Sequence, residues 1–159
     1  MLHTTKIDIP KGDREKLITT LNQILADISD LKSQAKQAHW NVKGINFIAL
    51  HELFDQVATV LEPHVDDIAE RITTLGGTAL GTVRLAAATS SLPEYPLEIT
   101  DGHAHVEALS NALADFGKKV RAEIDATDEL GDADTADLLT GVSRDVDKML
   151  WFVEAHLQA

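Results

Sequence analysis

At 159 residues, with a formal charge of 14 − 26 = −12 and no cysteine, the chain is expected to form a single domain over 1–159 that buries a core without disulfides or thiolate chemistry. No apolar run approaches the roughly 18 residues a membrane span needs, and the N-terminus lacks the charged-then-apolar layout of a signal peptide. A cytoplasmic protein is therefore expected. The acidic balance argues against a surface built for nucleic acid or anionic membrane and fits a container for cations, although solubility alone also accounts for it.

The first predicted helix follows a short tail, 1–12, and runs from about Asp13 to Asn41. Its apolar positions Leu17, Leu21, Ile24, Ile28, Leu31, Ala35 and Ala38 step by 4 and 3, the spacing of a packed bundle seam. Gly44 follows, with the permissive backbone common after a helix. The second helix, Asn46 to Leu75, repeats the pattern at Leu50, Phe54, Val57, Leu61, Val65, Ile68, Ile72 and Leu75, and stops at Gly76-Gly77. Pro63 lies inside it, removing one backbone bond and crowding the Thr59 carbonyl, so a bend is predicted there. Between Thr78 and Thr100 the periodicity breaks, with Pro93 and Pro96 as punctuation and a short helix expected around Thr82 to Ala88. The third long helix spans about Asp101 to Ala126 through Val106, Leu109, Leu113, Phe116, Val120 and Ile124. The fourth spans about Thr135 to His156 through Leu139, Val142, Val146, Met149/Leu150, Val153 and Leu157, with Asp134 as its candidate cap. The chain therefore reads as all-α: two long hairpins joined by one long crossover, without repeats or a second domain.

Five side chains carry the chemistry: His39, His51, Asp55, Asp66 and Glu70, spaced 12, 4, 11 and 4 apart. Neutral imidazoles with carboxylates suit iron and similar divalent metals. On one helix, the i,i+4 pairs His51/Asp55 and Asp66/Glu70 fall within roughly a 100° arc and form a single polar stripe. Along the axis, Asp55 and Asp66 are roughly 16 Å apart at 1.5 Å per residue, so one metal cannot reach both pairs. Two copies of the helix, antiparallel about a two-fold axis, would set His51/Asp55 of one chain opposite Asp66/Glu70 of the other. The spacing thus suggests a metal site shared between subunits. No Glu-x-x-His motif, the mark of a di-iron site inside one bundle, occurs in the chain.

The segments Gln37-Ala38-His39-Trp40-Asn41-Val42-Lys43-Gly44, Asn46 through His51 to Asp55, and Asp66-Asp67-Ile68-Ala69-Glu70-Arg71 resemble the Dps proteins, the mini-ferritins of the ferritin-like superfamily. The run from Thr135-Ala136-Asp137 through Ser143-Arg144-Asp145 to Leu150-Trp151-Phe152 resembles them too, so the likeness covers roughly Asp13 to Leu157. It implies a ferritin-like four-helix bundle assembled as a hollow dodecamer. The activity it implies is that of a ferroxidase, oxidising Fe(II) preferentially with hydrogen peroxide and storing the ferric mineral as protection against oxidative damage. By the same resemblance, Asp66 and Glu70 would hold the tighter iron with His39 of the partner subunit. His51 and Asp55 would complete a second, weaker position, and zinc or manganese would compete for the same donors.

Other residues carry weaker signals. Trp40 reads as an aromatic filling a subunit interface, with a sacrificial electron donor as the alternative. Lys36, one turn earlier, is either solvated or a donor to a site carboxylate. His103 and His105 point apart on a helix start and form a poor metal pair; His3, His64 and His156 have no evident partner. The acidic run Asp125, Asp128, Glu129, Asp132, Asp134 and Asp137 reads as a solvated turn or, by resemblance, as the lining of three-fold pores that admit iron, with Asp132 and Asp137 foremost. Only Lys6 and Lys11 are basic in the first twelve residues and none in the last six, so DNA binding is expected to be weak or absent.

Overall fold

The computed structural model describes residues 2–158. Four long helices and one short one follow each other in the chain: α1 (Lys11–Asn41), α2 (Phe47–Thr74), α3 (Val83–Thr89), α4 (Gly102–Glu129) and α5 (Ala133–Glu154). Short turns fold α2 back on α1 and α5 back on α4, and the 75–101 crossover carrying α3 joins the two hairpins. This is the ferritin-like arrangement the sequence predicts. No strand occurs among the described residues, and none of their helices is long and apolar enough to cross a membrane.

The predicted seams form one continuous core. Leu17, Leu21, Ile28 and Leu31 of α1 meet Phe54, Leu61, Ile68 and Ile72 of α2, Leu109, Leu113 and Val120 of α4, and Leu139, Val142 and Val146 of α5. Each fully buried aliphatic side chain contributes roughly 1.5–3 kcal/mol, which is why the seam rather than local propensity fixes the helices. Val65, Ile124 and Leu150 pack at the margin of that core. Leu157 does not join it: α5 ends at Glu154, and Leu157 lies exposed beyond. α4 continues three residues past the expected Ala126, while the other ends fall within two residues of expectation and α1 ends at Asn41 as expected. α2 runs unbroken through Pro63, whose missing N–H leaves the Thr59 carbonyl without its helical donor.

Capping and long-range contacts fix the end of α2 and the start of α5. The α2 C-terminus closes with Gly77 N–H donating to the Ile72 carbonyl and Gly76 N–H to the Thr73 carbonyl, with Gly76 at φ +89°. The N-terminal segment docks on that turn through His3 N–H to the Gly76 carbonyl at 2.7 Å. Arg14 then locks the corner, donating to the Leu75 and Ile9 carbonyls. The start of α5 departs from expectation. Asp132 rather than Asp134 is the cap, accepting from Thr135 N–H at 3.1 Å. Its carboxylate is 98 % buried because Arg71 of α2 reaches across and donates to it at 2.6 Å. A long-range ion pair, not local spacing, chooses the cap.

Candidate metal centre

The turn at 42–46 builds the site. Gly44, at φ +111°, lets the chain reverse, and Lys43 N–H donates to the Thr100 carbonyl at 2.9 Å, pinning the turn to the segment ahead of α4. The reversal lays the second turn of α2 over the last turn of α1. His39 and His51 stack there, ring centroids 3.7 Å apart and planes inclined by 23°. The two rings are bonded reciprocally: His39 Nδ1 donates to the His51 carbonyl at 2.7 Å, and His51 Nδ1 donates to the His39 carbonyl at 2.8 Å. The His39 carbonyl sits in the last turn of α1, where carbonyls have no helical donor, so His51 satisfies a group that helix geometry leaves open.

A carbonyl can only accept. Both rings therefore carry their proton on Nδ1 and hold Nε2 as a free lone pair, the form in which imidazole binds a metal. Fixing tautomer and ring orientation through the second nitrogen is how protein backbones commonly prepare histidine ligands.

Asp55 lies one turn beyond His51 and is half-exposed. Lys36 donates to its Oδ1 at 2.6 Å and rests 5.8 Å above the Trp40 ring. Of the two roles open to Lys36, the structure shows the site-carboxylate donor. That hydrogen bond holds the Asp55 carboxyl below the usual carboxylate range against the opposing pull of desolvation, with the Lys36 charge adding to it. Lys36→Met in the metal-free protein is expected to raise the Asp55 titration midpoint toward an ordinary carboxylate. A folded-state value that is depressed gives stability above the ordinary carboxylate pKa and loses it as pH falls through the Asp55 value. Both side chains are partly in water, so the stability change is small and the midpoint is the better readout. NMR titration of the Asp55 carboxyl showing the same midpoint in both proteins would contradict the assignment.

Asp66 and Glu70 lie farther along α2, and both are exposed. Among the described residues no three His, Cys, Asp or Glu side chains converge closely enough to hold a metal ion. One chain thus brings His39, His51 and Asp55 to one end of the stripe and leaves Asp66 and Glu70 at the other.

Several residues fall outside the expected set. His64 Nε2 pairs with Asp145 Oδ2 at 2.8 Å, joining α2 to α5. His156 Nδ1 donates to the Phe152 carbonyl at 3.0 Å. His103 is exposed whereas His105 is buried, so the two do point apart. Sequence reasoning missed that His105 Nδ1 meets the Tyr95 hydroxyl at 2.6 Å; no periodicity in the crossover marks Tyr95, although its being the only tyrosine is a signal of a kind. Of the acidic run, Asp132 is turned inward while Asp134 and Asp137 face solvent.

Comparison with known proteins agrees with this architecture. Residues 18–159 match the family model described as a ferritin-like domain. The chain is 47 % identical over 156 residues to the DNA protection during starvation protein of Agrobacterium fabrum, covering 98 % of this chain and 96 % of that one. Among solved structures, it superposes on DpsC from Streptomyces coelicolor with a TM-score of 0.94 at 30 % identity, covering 99 % of this chain and 92 % of that one. The Dps from Microbacterium arborescens, in its high iron form, gives a TM-score of 0.88 at 30 % identity with both chains fully covered.

Proposed function

This chain belongs to the ferritin-like domain family and, within it, to the Dps proteins, the iron-storing mini-ferritins of stress protection; from that premise we propose that it is a ferroxidase preferring hydrogen peroxide. Its sites are shared between two subunits, and the ferric product is stored as mineral inside a hollow dodecamer in the cytoplasm. The single observation that carries the site is the reciprocal His39/His51 bonding, which presents two free Nε2 lone pairs beside an ionised Asp55. Asp66 and Glu70, exposed and about 16 Å farther along the helix, supply the missing carboxylates to the partner subunit across a two-fold axis.

Fe(II) is the substrate. Each ion can give one electron, and two ions held together can reduce one peroxide to two waters without releasing hydroxyl radical. The chain's own part is to bind and orient: imidazole tautomers set by backbone carbonyls, and Asp55 kept ionised by Lys36. Zinc and manganese compete, since the same donors accept them. The exposed carboxylates at the α4–α5 junction, Asp137 among them, draw cations toward the assembly; Asp132, committed to Arg71 and Thr135, does not take part.

Anaerobic loading with Fe(II), followed by measured additions of peroxide, tests the reading. One peroxide consumed per two irons oxidised is expected, together with rising ferric absorbance. Consumption of one peroxide per iron, with trapped hydroxyl radical, would count against paired-iron chemistry. Retention of Fe(II) unoxidised would instead favour a metal-binding assembly without turnover.

DNA binding is weak or absent in this reading. The formal charge is −12 per chain, and the segment holding Lys6 is not free, because His3 is hydrogen-bonded to Gly76 and Ile9 to Arg14. Neutralised phosphates supply nearly all non-specific affinity, and few cations are offered here. Retarded migration of plasmid at physiological salt and neutral pH would show otherwise.

A further inference from the structure

The only tyrosine in the chain is hydrogen-bonded to a buried histidine that the proposed ferroxidase site does not use. Tyr95 comes from the crossover and His105 from the first turn of α4; their rings lie nearly parallel, with centroids 6.0 Å apart and planes inclined by 19°. His105 is 99 % buried, and its Nε2 has no hydrogen-bond partner among the described residues. Such an orphan costs roughly 1–3 kcal/mol, far more than a Leu or Phe in the same place, so pinning the crossover is a poor reason for a histidine here. Burial pushes the Tyr95 phenol up and the His105 imidazole down, so the resting pair is neutral: the phenol donates, and Nδ1 accepts. The Asp101 charge, and after it the Asn41 backbone, favour a charged His105 ring against that burial.

The pair is one ring away from the metal-binding turn. The buried Phe54 ring is 6.4 Å from the His105 ring, and Phe54 adjoins Asp55 and follows His51 by one turn of α2.

We infer that Tyr95 and His105 form a proton-coupled electron donor to the iron site, with Tyr95 supplying the second electron when peroxide meets a site that holds a single Fe(II). This rests on the ferroxidase reading above. One Fe(II) gives one electron and becomes Fe(III). The Tyr95 phenol gives the other and becomes a neutral phenoxyl radical, its proton passing along the existing hydrogen bond to His105 Nδ1. The O–O bond breaks and both oxygens leave as hydroxide, so peroxide is fully reduced and no hydroxyl radical escapes. His105 is a positioning residue: it takes the proton and touches neither iron nor peroxide.

The test uses the assembled protein with equal amounts of Fe(II) and sites, mixed with peroxide and frozen for EPR while ferric absorbance is followed. A tyrosyl signal is expected in the wild type, and with a single tyrosine its source is unambiguous. Tyr95→Phe should lose it and release spin-trapped hydroxyl radical instead. His105→Gln should lower the tyrosyl yield by at least about tenfold, the scale of losing a positioned base, and should abolish the slowing seen in heavy water. A second arm exposes metal-free assembly to a photogenerated one-electron oxidant, which interrogates the pair without iron. Ferric absorbance without a tyrosyl signal overturns the inference and leaves the ferroxidase reading standing. Absence of ferric absorbance in the wild type fails the ferroxidase reading and the donor role with it, and the photochemical arm then shows whether the pair itself is redox-active. A yield and heavy-water effect unchanged in His105→Gln overturn the proton relay.

Discussion

Asp132→Ala is expected to destabilise the fold by about 3–5 kcal/mol, the loss typical of removing one partner from a buried ion pair. The carboxylate makes three contacts at once: Arg71 at 2.6 Å, Thr135 N–H at 3.1 Å and the Thr135 hydroxyl. Without it, the Arg71 guanidinium, with only 14 % of its side chain exposed, keeps Thr135 Oγ1 as a neutral acceptor and a distant Asp134 at 4.0 Å as its only charge partner among the described residues. The α5 N-terminus also loses its cap, a further part of the cost at roughly 1 kcal/mol. Asp132→Asn keeps an acceptor for Thr135 N–H and should lose less, which separates the charge from the cap. Asp134→Ala, at an 88 % exposed side chain, should change stability by less than about 0.5 kcal/mol. Denaturant midpoints at matched protomer concentration measure all three, since assembly makes stability depend on concentration. A loss below about 1 kcal/mol in Asp132→Ala would mean that the pair contributes little beyond the cap.

That residue also marks where reading the chain stops working. The long helices are legible because their seams repeat every three or four residues, and burial of those positions outweighs local propensity. The cap of α5 is not, because Asp132 and Asp134 are equally good candidates locally, and a cation 61 residues earlier in the chain decides between them. The metal ligands divide in the same way. His51/Asp55 and Asp66/Glu70 announce themselves by i,i+4 spacing on one helix. The stacking of His39 on His51 depends on how the 42–46 turn folds α2 back, and no spacing encodes a reciprocal bond to two carbonyls. His105 shows the limit most clearly. Read along the chain, its neighbour is His103; in the fold, its partner is Tyr95, ten residues away in a segment without periodicity.

His51→Ala and Glu70→Ala should each abolish peroxide-driven oxidation in an assembly built from one mutant, yet partly rescue each other when the two are refolded together. His51 and Glu70 are 19 residues apart on one helix, roughly 28 Å along its axis, so they cannot serve one site from the same chain. Across a two-fold axis each site takes its His51 end from one chain and its Glu70 end from the other. At an interface between the two mutants, one site receives both lesions and the other receives neither. Random mixing of equal amounts makes about half the interfaces mixed, so about a quarter of all sites should be intact. Ferric absorbance per chain should therefore recover to about a quarter of the wild-type value, and recovery should vanish as either mutant is diluted out. A double mutant carrying both changes in one chain, mixed with wild type, gives the control: mixed interfaces then hold two sites with one lesion each and no rescue beyond the wild-type pairs. Rescue absent at every mixing ratio, with assembly intact by size, would place His51 and Glu70 in separate sites and end the case for sharing between subunits.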